Sequence, residues 1–85
     1  MLVARKGSVI EANIHGMTAD EAYRELVRLI DRADGSVAEI HVIHGYRRGN
    51  ALKAMVQQKL SHPKISYKCE SLLNEGETKI YLKKR

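Results

Sequence analysis

The tripeptide Ile-His-Gly occurs twice in this 85-residue chain, at residues 14–16 and 43–45. An imidazole can donate or accept a proton near neutral pH, so His15 and His44 are candidates for general acid–base chemistry. Gly16 and Gly45 let the chain turn tightly and let a ligand approach the backbone. The pattern is also compatible with two turns that need glycine for conformational reasons alone.

The second copy is followed by residues suited to holding a polyanion. An aromatic ring that offers a face to a base precedes two arginines, each able to hold a phosphate through two hydrogen bonds. A helix predicted after each tripeptide adds free N–H groups at its start, which favour an anion. The predicted nucleic-acid-binding residues are Gly16, Gly45, Tyr46, Arg47, Arg48, Gly49 and Lys53.

The net charge of +5 is unevenly distributed along the chain. Residues 1–40 contain five basic and seven acidic side chains, whereas residues 41–85 contain ten basic and three acidic ones. A basic half in so short a chain favours a polyanionic partner. We expect nucleic acid rather than a membrane, because no segment combines the apolar and basic faces of an interfacial helix.

Cysteine and histidine usage gives no sign of a disulfide or a zinc site. The single Cys69 cannot form an internal disulfide, and one cysteine with four scattered histidines lacks the spacing of zinc ligands. The first ten residues are too polar for a signal peptide or a membrane span. We therefore expect a cytoplasmic protein with no metal or cofactor, unless nuclease activity requires a divalent cation.

The periodicity of apolar residues predicts the order β-α-β-α-β-β. Residues 8–14 and 38–43 alternate as strands, and Thr18 with Glu21 forms a capping box at the start of a helix that Gly35 should end. Asn50 is a plausible N-cap of the second helix, and a hairpin that turns near residues 75–76 closes the chain. Residues 8–85 should form one domain after an N-terminal arm of residues 1–7.

Strands that alternate with helices imply parallel pairing through right-handed crossovers. The expected architecture is a two-layer α/β sandwich, with both helices on one face of a mixed four-stranded sheet. The carboxyl ends of neighbouring parallel strands lie about 5 Å apart at one edge of a sheet. We therefore expect the side chains of His15 and His44 to open onto the same edge, where open α/β sheets bind ligands.

The two motifs resemble those of the Smr (small MutS-related) domain, found in MutS2-type proteins and in short stand-alone proteins. The first family motif, Leu-Asp-x-His-Gly, corresponds to Ala12, Asn13, Ile14, His15 and Gly16. The second, His-Gly-x-Gly-x-Gly, corresponds to His44, Gly45, Tyr46, Arg47, Arg48 and Gly49. The resemblance extends from about Ile10 to Leu82.

This resemblance implies binding of DNA or RNA and, in some members, nicking or endonucleolytic cleavage. It also implies a fold similar to the C-terminal domain of bacterial translation initiation factor three, with the last strand inserted beside the second and antiparallel to its neighbours. The chain departs from the motifs at Asn13, where the family has Asp, at Ala12 and at Arg47.

Three functions follow from these features. The first is a nucleic-acid-binding module, which the basic half and the Tyr-Arg-Arg sequence favour. The second is a nuclease in which His15 and His44 act as acid and base while Asn13 orients a histidine. The loss of the family carboxylate at Asn13 weakens this second function, because an amide cannot act as a base. The third is a module that docks on a nucleoprotein such as the ribosome.

Overall fold

Five strands form one sheet in the part of the chain that the computed structural model describes, residues 1–45 and 50–83. The strands are β1 (Leu2–Lys6), β2 (Val9–Asn13), β3 (Glu39–Ile43), β4 (Ile65–Glu70) and β5 (Glu77–Leu82). The helices are α1 (Ala19–Arg32) and α2 (Ala51–Ala54), and α2 continues directly into a π-helical turn, Met55–Lys59. The predicted site residues Tyr46, Arg47, Arg48 and Gly49 lie outside the described residues.

The sheet has the order β1-β2-β3-β5-β4, in which only β2 and β3 are parallel. β5 is inserted between β3 and β4 and is antiparallel to both, as the family resemblance implied. The predicted two-layer α/β architecture with a mixed sheet is therefore confirmed. No helix in the described part of the chain has the length and apolarity needed to cross a bilayer.

The predicted count of four strands is wrong, because residues 2–6 add a strand within the expected N-terminal arm. β1 pairs antiparallel with β2, and Leu2 lies opposite Asn13. All five residues of β1 are exposed, so neither face of this strand is buried. Its sequence, Leu-Val-Ala-Arg-Lys, accordingly shows no alternation of apolar and polar side chains. The alternation of buried and exposed residues, on which the strand assignment relies, is absent from such an edge strand.

One face of the sheet packs against both helices and forms the core. Ile10, Ile40 and Ile80 lie side by side on β2, β3 and β5 and are almost completely buried. Leu26 and Ile30 of α1 cover them at the four-residue spacing of one helix face. Met55 and Val56 of the π-helical turn complete the same cluster.

Two lysines of the basic half donate hydrogen bonds to backbone carbonyl groups near the carboxyl ends of the helical segments. Lys64 donates hydrogen bonds to the carbonyl oxygens of Ile30 (3.2 Å), Asp31 (2.8 Å) and Ala33 (3.0 Å). α1 thus ends at Arg32, and Gly35, the expected terminator, has no positive φ angle. The last carbonyls of a helix lack partners within the helix, so a lysine that reaches them replaces the glycine cap.

Lys68 does the same for the π-helical turn. Its ammonium donates to the carbonyl oxygens of Val56 (2.9 Å) and Leu60 (2.7 Å), and burial lowers the pKa of this lysine. The N–H of Leu60 donates to the carbonyl of Met55 at 2.7 Å, which closes the turn. The ammonium of the half-buried Lys68 is therefore engaged by helical carbonyls rather than free to contact a polyanion.

We expect Lys68→Met to lower the free energy of unfolding by about 1–3 kcal/mol, because two carbonyls lose a charged donor while the aliphatic stem is retained. Urea denaturation followed by circular dichroism measures the change. Lys83→Met, at an exposed position, is the matched control and should have little effect. Equal stability of the two variants would show that the two hydrogen bonds contribute nothing.

Candidate functional site

The two His-Gly motifs meet at the edge of the sheet where β2 and β3 end. Asn13 lies opposite Ile43 in the parallel register, and the N–H of Ile14 donates to the carbonyl of Ile43 at 2.9 Å. β5 starts at the same edge, because Glu77 also pairs with Ile43. Three chain connections, those after β2, after β3 and before β5, therefore lie next to one another.

The side chain of His15 is exposed, and its ring lies against the backbone of Gly45. A Cβ atom added to Gly45 would be 2.6 Å from Cδ2 of His15 and 3.3 Å from Nε2. Gly45 also has a φ of +78°, which side-chain-bearing residues rarely adopt. Glycine is thus required here both for backbone conformation and for the close approach of the imidazole. The predicted shared edge is therefore present, although the ring of the first motif meets the backbone of the second.

The side chain of His44 points into the molecule and is only 3% exposed. Its Nδ1 lies 2.8 Å from the carbonyl oxygen of Gly45, and its Nε2 lies 2.8 Å from Oγ1 of Thr78. A carbonyl oxygen can only accept, so Nδ1 carries a proton, and in the neutral imidazole Nε2 accepts from the Thr78 hydroxyl. The expectation that both imidazoles open onto the edge is wrong for His44. Its acid–base role stays a prediction that this burial does not favour.

A chain of polar contacts connects His44 to the surface of α2. The Gln57 amide donates to Oγ1 of Thr78 and to Oε1 of Glu70, both at 3.2 Å. Nζ of Lys53 lies 2.6 Å from Oε1 of Glu70. The hydrogen bond from Lys53, and next that from Gln57, lower the pKa of Glu70. Lys53, predicted to hold phosphate, therefore already has an anionic partner.

Thr78 is the site residue that sequence reasoning missed. It lies on β5 at an inward-facing position, two residues before Ile80, and is completely buried. A hydroxyl at a core position of an alternating strand needs a buried partner. That polar interruption of the apolar alternation was the available signal for a buried contact with His44.

Asn13 shapes the turn that carries His15. Its side-chain oxygen accepts a hydrogen bond from the backbone N–H of His15 at 3.0 Å. This bond closes the turn after β2. It does not involve the imidazole, which contacts Gly45 instead. In this structure Asn13 thus bonds to the backbone of His15 and not to its ring, and its role as an orienting group for the imidazole stays a prediction.

The two helix starts near the edge differ as anion sites. At α1 the Thr18 hydroxyl accepts from the N–H of Glu21, and the Glu21 carboxylate accepts from the N–H of Thr18, each at 3.2 Å. The hydrogen bonds from the side chain and then the backbone of Thr18 lower the pKa of Glu21. This predicted capping box is confirmed, and its carboxylate occupies the place of an external anion.

The start of α2 has a different character. Asn50 makes no side-chain capping bond there, and the first turn of α2 contains no acidic residue. In contrast to the start of α1, the start of α2 therefore has no carboxylate of its own. This is the helix that follows the Tyr-Arg-Arg segment in the sequence.

The connection between β4 and β5 is tied to the second motif. The carbonyl oxygen of Gly76 accepts hydrogen bonds from the backbone N–H groups of His44 (2.8 Å) and Gly45 (3.0 Å). A Cβ on Gly76 would lie 3.2 Å from Cα of Gly45, so the two glycines allow the two backbones to pack closely. Among the described residues, no group of three or more His, Cys, Asp or Glu side chains is arranged to hold a metal ion.

Comparison with known proteins agrees with this geometry. The family model of the Smr domain matches residues 12–82. The chain belongs to the Smr family. The crystal structure of the Smr domain of Thermus thermophilus MutS2 superposes with a TM-score of 0.77 at 19% sequence identity, covering 86% of this chain and 96% of that one. That similarity concerns the fold. A search of curated proteins finds no significant match.

We expect Gly45→Ala to be more destabilising than Gly16→Ala, although both glycines have positive φ angles. The unfavourable φ should lower the unfolding free energy by about 1–2 kcal/mol in each variant. Gly45→Ala should be destabilised by about 1 kcal/mol more, because the imidazole of His15 must move. A Cβ on Gly16 meets nothing within 4 Å.

Denaturant unfolding of both variants, repeated in a His15→Ala background, isolates the effect of the ring. The additional destabilisation in Gly45→Ala should disappear once the ring is removed. If it persists, the ring of His15 does not lie on Gly45 in solution.

Proposed function

We propose that this Smr domain binds nucleic acid at the edge of the sheet where β2 and β3 end. The observation that carries the proposal is the contact between His15 and Gly45, which joins the two family motifs into one surface. The exposed imidazole of His15 lies at this edge, and residues 46–49 follow Gly45 in the sequence. Family membership supports a nucleic-acid partner, and the order of the chain, with Tyr46, Arg47 and Arg48 directly after Gly45, supports where it binds.

We infer from the sequence that Arg47 and Arg48 supply the cationic charge of the proposed site. Residues 13–17 and 71–77, which form the other connections at this edge, contain no lysine or arginine. Lys64 and Lys68 bond to helix carbonyls, and Lys53 is paired with Glu70. Phosphate contacts release counterions, so the number of cations engaged determines the salt dependence of binding.

We expect binding to weaken steeply with salt and the double variant Arg47→Ala/Arg48→Ala to flatten that dependence. For every phosphate that the variant no longer neutralises, the slope of log K against log salt should decrease by about 0.7 for a single strand and 0.9 for a duplex. Fluorescence anisotropy with labelled single-stranded and duplex DNA and RNA provides the measurement.

Arg24→Ala/Arg28→Ala removes the same charge from exposed positions of α1 and is the matched control. An equal change of slope in both double variants would mean that net charge, and not this edge, determines binding. Glu70→Gln should act in the opposite direction, since it releases Lys53 from its anionic partner. It should therefore tighten binding and steepen the slope.

Nuclease activity is the second candidate, because the His15 imidazole is exposed at the proposed binding edge. We expect the natural protein to cleave slowly or not at all, and Asn13→Asp to increase cleavage. A carboxylate can accept the same backbone hydrogen bond from His15, so the turn should be preserved while a negative charge is placed beside the imidazole. His15→Ala should abolish cleavage and change binding by only a few fold.

Incubation of labelled DNA and RNA with each variant, with and without Mg²⁺ or Mn²⁺, measures cleavage and binding in the same samples. Unfolding curves confirm that each variant is folded. Efficient cleavage by the natural protein, unaffected by Asn13→Asp, would exclude a role for a carboxylate at this position. His44 or a bound metal ion would then be the better candidate.

A further inference from the structure

Two adjacent leucines in the connection between β4 and β5 are fully exposed to solvent. Leu72 is 100% exposed and Leu73 is 99% exposed. Single exposed apolar residues are ordinary on protein surfaces, but a contiguous pair without any cover marks a surface that a partner can bury. We refer to Leu72 and Leu73 as the leucine tip.

The base of the leucine tip is fixed by hydrogen bonds. The N–H of Ser71 donates to the carbonyl of Glu77 at 3.2 Å, and the N–H of Gly76 donates to Oδ1 of Asn74 at 2.9 Å. The carbonyl of Gly76 is held by the second His-Gly motif. Burial of the tip in a partner therefore costs little conformational entropy, since its supporting backbone is already ordered.

A groove on the helical side of the same chain has an apolar lining that is complementary to the two leucines. It lies between the first turns of α1 and the helical segment 51–59 and has a volume of about 660 Å³. Small side chains on both helices leave the space open, and two larger apolar side chains line it. Its principal lining residues are Ala19, Tyr23, Ala51, Ala54, Met55 and Lys59.

We propose that the leucine tip of one chain inserts into the interhelical groove of a second copy. Residues 70–77 contain three acidic and no basic side chains, so the leucine tip itself is flanked by no cation that could bind a phosphate. Lys59 in the groove provides a counter-charge for the exposed Glu75 beside the tip. The complementary pair of surfaces on one chain is the reason to choose a second copy over another protein.

The size of the contact determines how strong the association is. Stable interfaces bury about 1,200–2,000 Å² in total, and two leucines in one groove provide only a small part of that area. The self-association is therefore weak, with a dissociation constant of about 0.1–1 mM for one tip in one groove. The proposal requires no nucleic acid and stands or falls independently of the proposed binding edge.

Sedimentation velocity of the full chain without nucleic acid, from about 10 μM to 1 mM, tests the proposal in the range where a contact of this size forms. The weight-average mass of the natural protein should rise with concentration. Leu72→Ser/Leu73→Ser should weaken association at least about tenfold, as should Ala54→Arg, which fills the groove. Ala51→Arg is a second groove variant at an exposed position, and circular dichroism confirms the folding of each.

Mixing the variants gives the decisive result. The tip variant retains a groove and the groove variant retains a tip, so the mixture should form a 1:1 heterodimer that neither variant forms alone. Leu2→Ser removes an apolar side chain that is 76% exposed on β1 and should leave association unchanged. A natural protein that stays monomeric to about 1 mM would overturn the proposal, as would a tip variant that associates as well as the natural chain or a mixture that fails to form a heterodimer.

Discussion

The close approach of three backbone segments at Gly45 is the constraint on which the rest of this edge depends. The ring of His15 lies on one side of this glycine, and the carbonyl of Gly76 receives its N–H. The contact with the ring leaves no room for a Cβ atom on Gly45, and the positive φ independently favours glycine there. One residue thereby connects the end of β2, the end of β3 and the start of β5. The antiparallel insertion of β5 beside β3 brings the third of these connections to the edge.

The sequence predicted the parts of the fold that depend on local signals. The capping box needs only Thr18 and Glu21 three residues apart, and its reciprocal hydrogen bonds form as expected. β1 could not be predicted in the same way, because its residues are stabilised by backbone pairing with β2 and none of its side chains is buried. The end of α1 could not be predicted from local sequence either. Its carbonyl groups accept hydrogen bonds from Lys64, which lies thirty-one residues after Ala33. Interactions between distant residues are invisible to a reading of local periodicity.

The candidate site, like the fold, could be predicted only in part from the sequence. The meeting of the two His-Gly motifs followed from parallel strand topology, which places the carboxyl ends of β2 and β3 side by side. The opposite orientations of the two histidines did not follow, because they depend on Thr78 lying opposite Val42 on the inner face of the sheet. The buried hydroxyl gives His44 a partner, so its imidazole turns toward the core. His15 has Gly45 as its neighbour and remains exposed.

This division also changes how the charge of the chain should be interpreted. Of the ten basic side chains in residues 41–85, Lys64 and Lys68 serve as donors to helix carbonyls and Lys53 neutralises Glu70. A lysine that bonds to helix carbonyls contributes to the long-range field but is unavailable for direct contact with phosphate. The excess of basic residues thus overstates the cations available to a ligand, and of the remaining ones Arg47 and Arg48 closely follow the second His-Gly motif in the sequence. Their rigid, multiply donating guanidinium groups suit phosphate better than the flexible lysines already engaged in the fold.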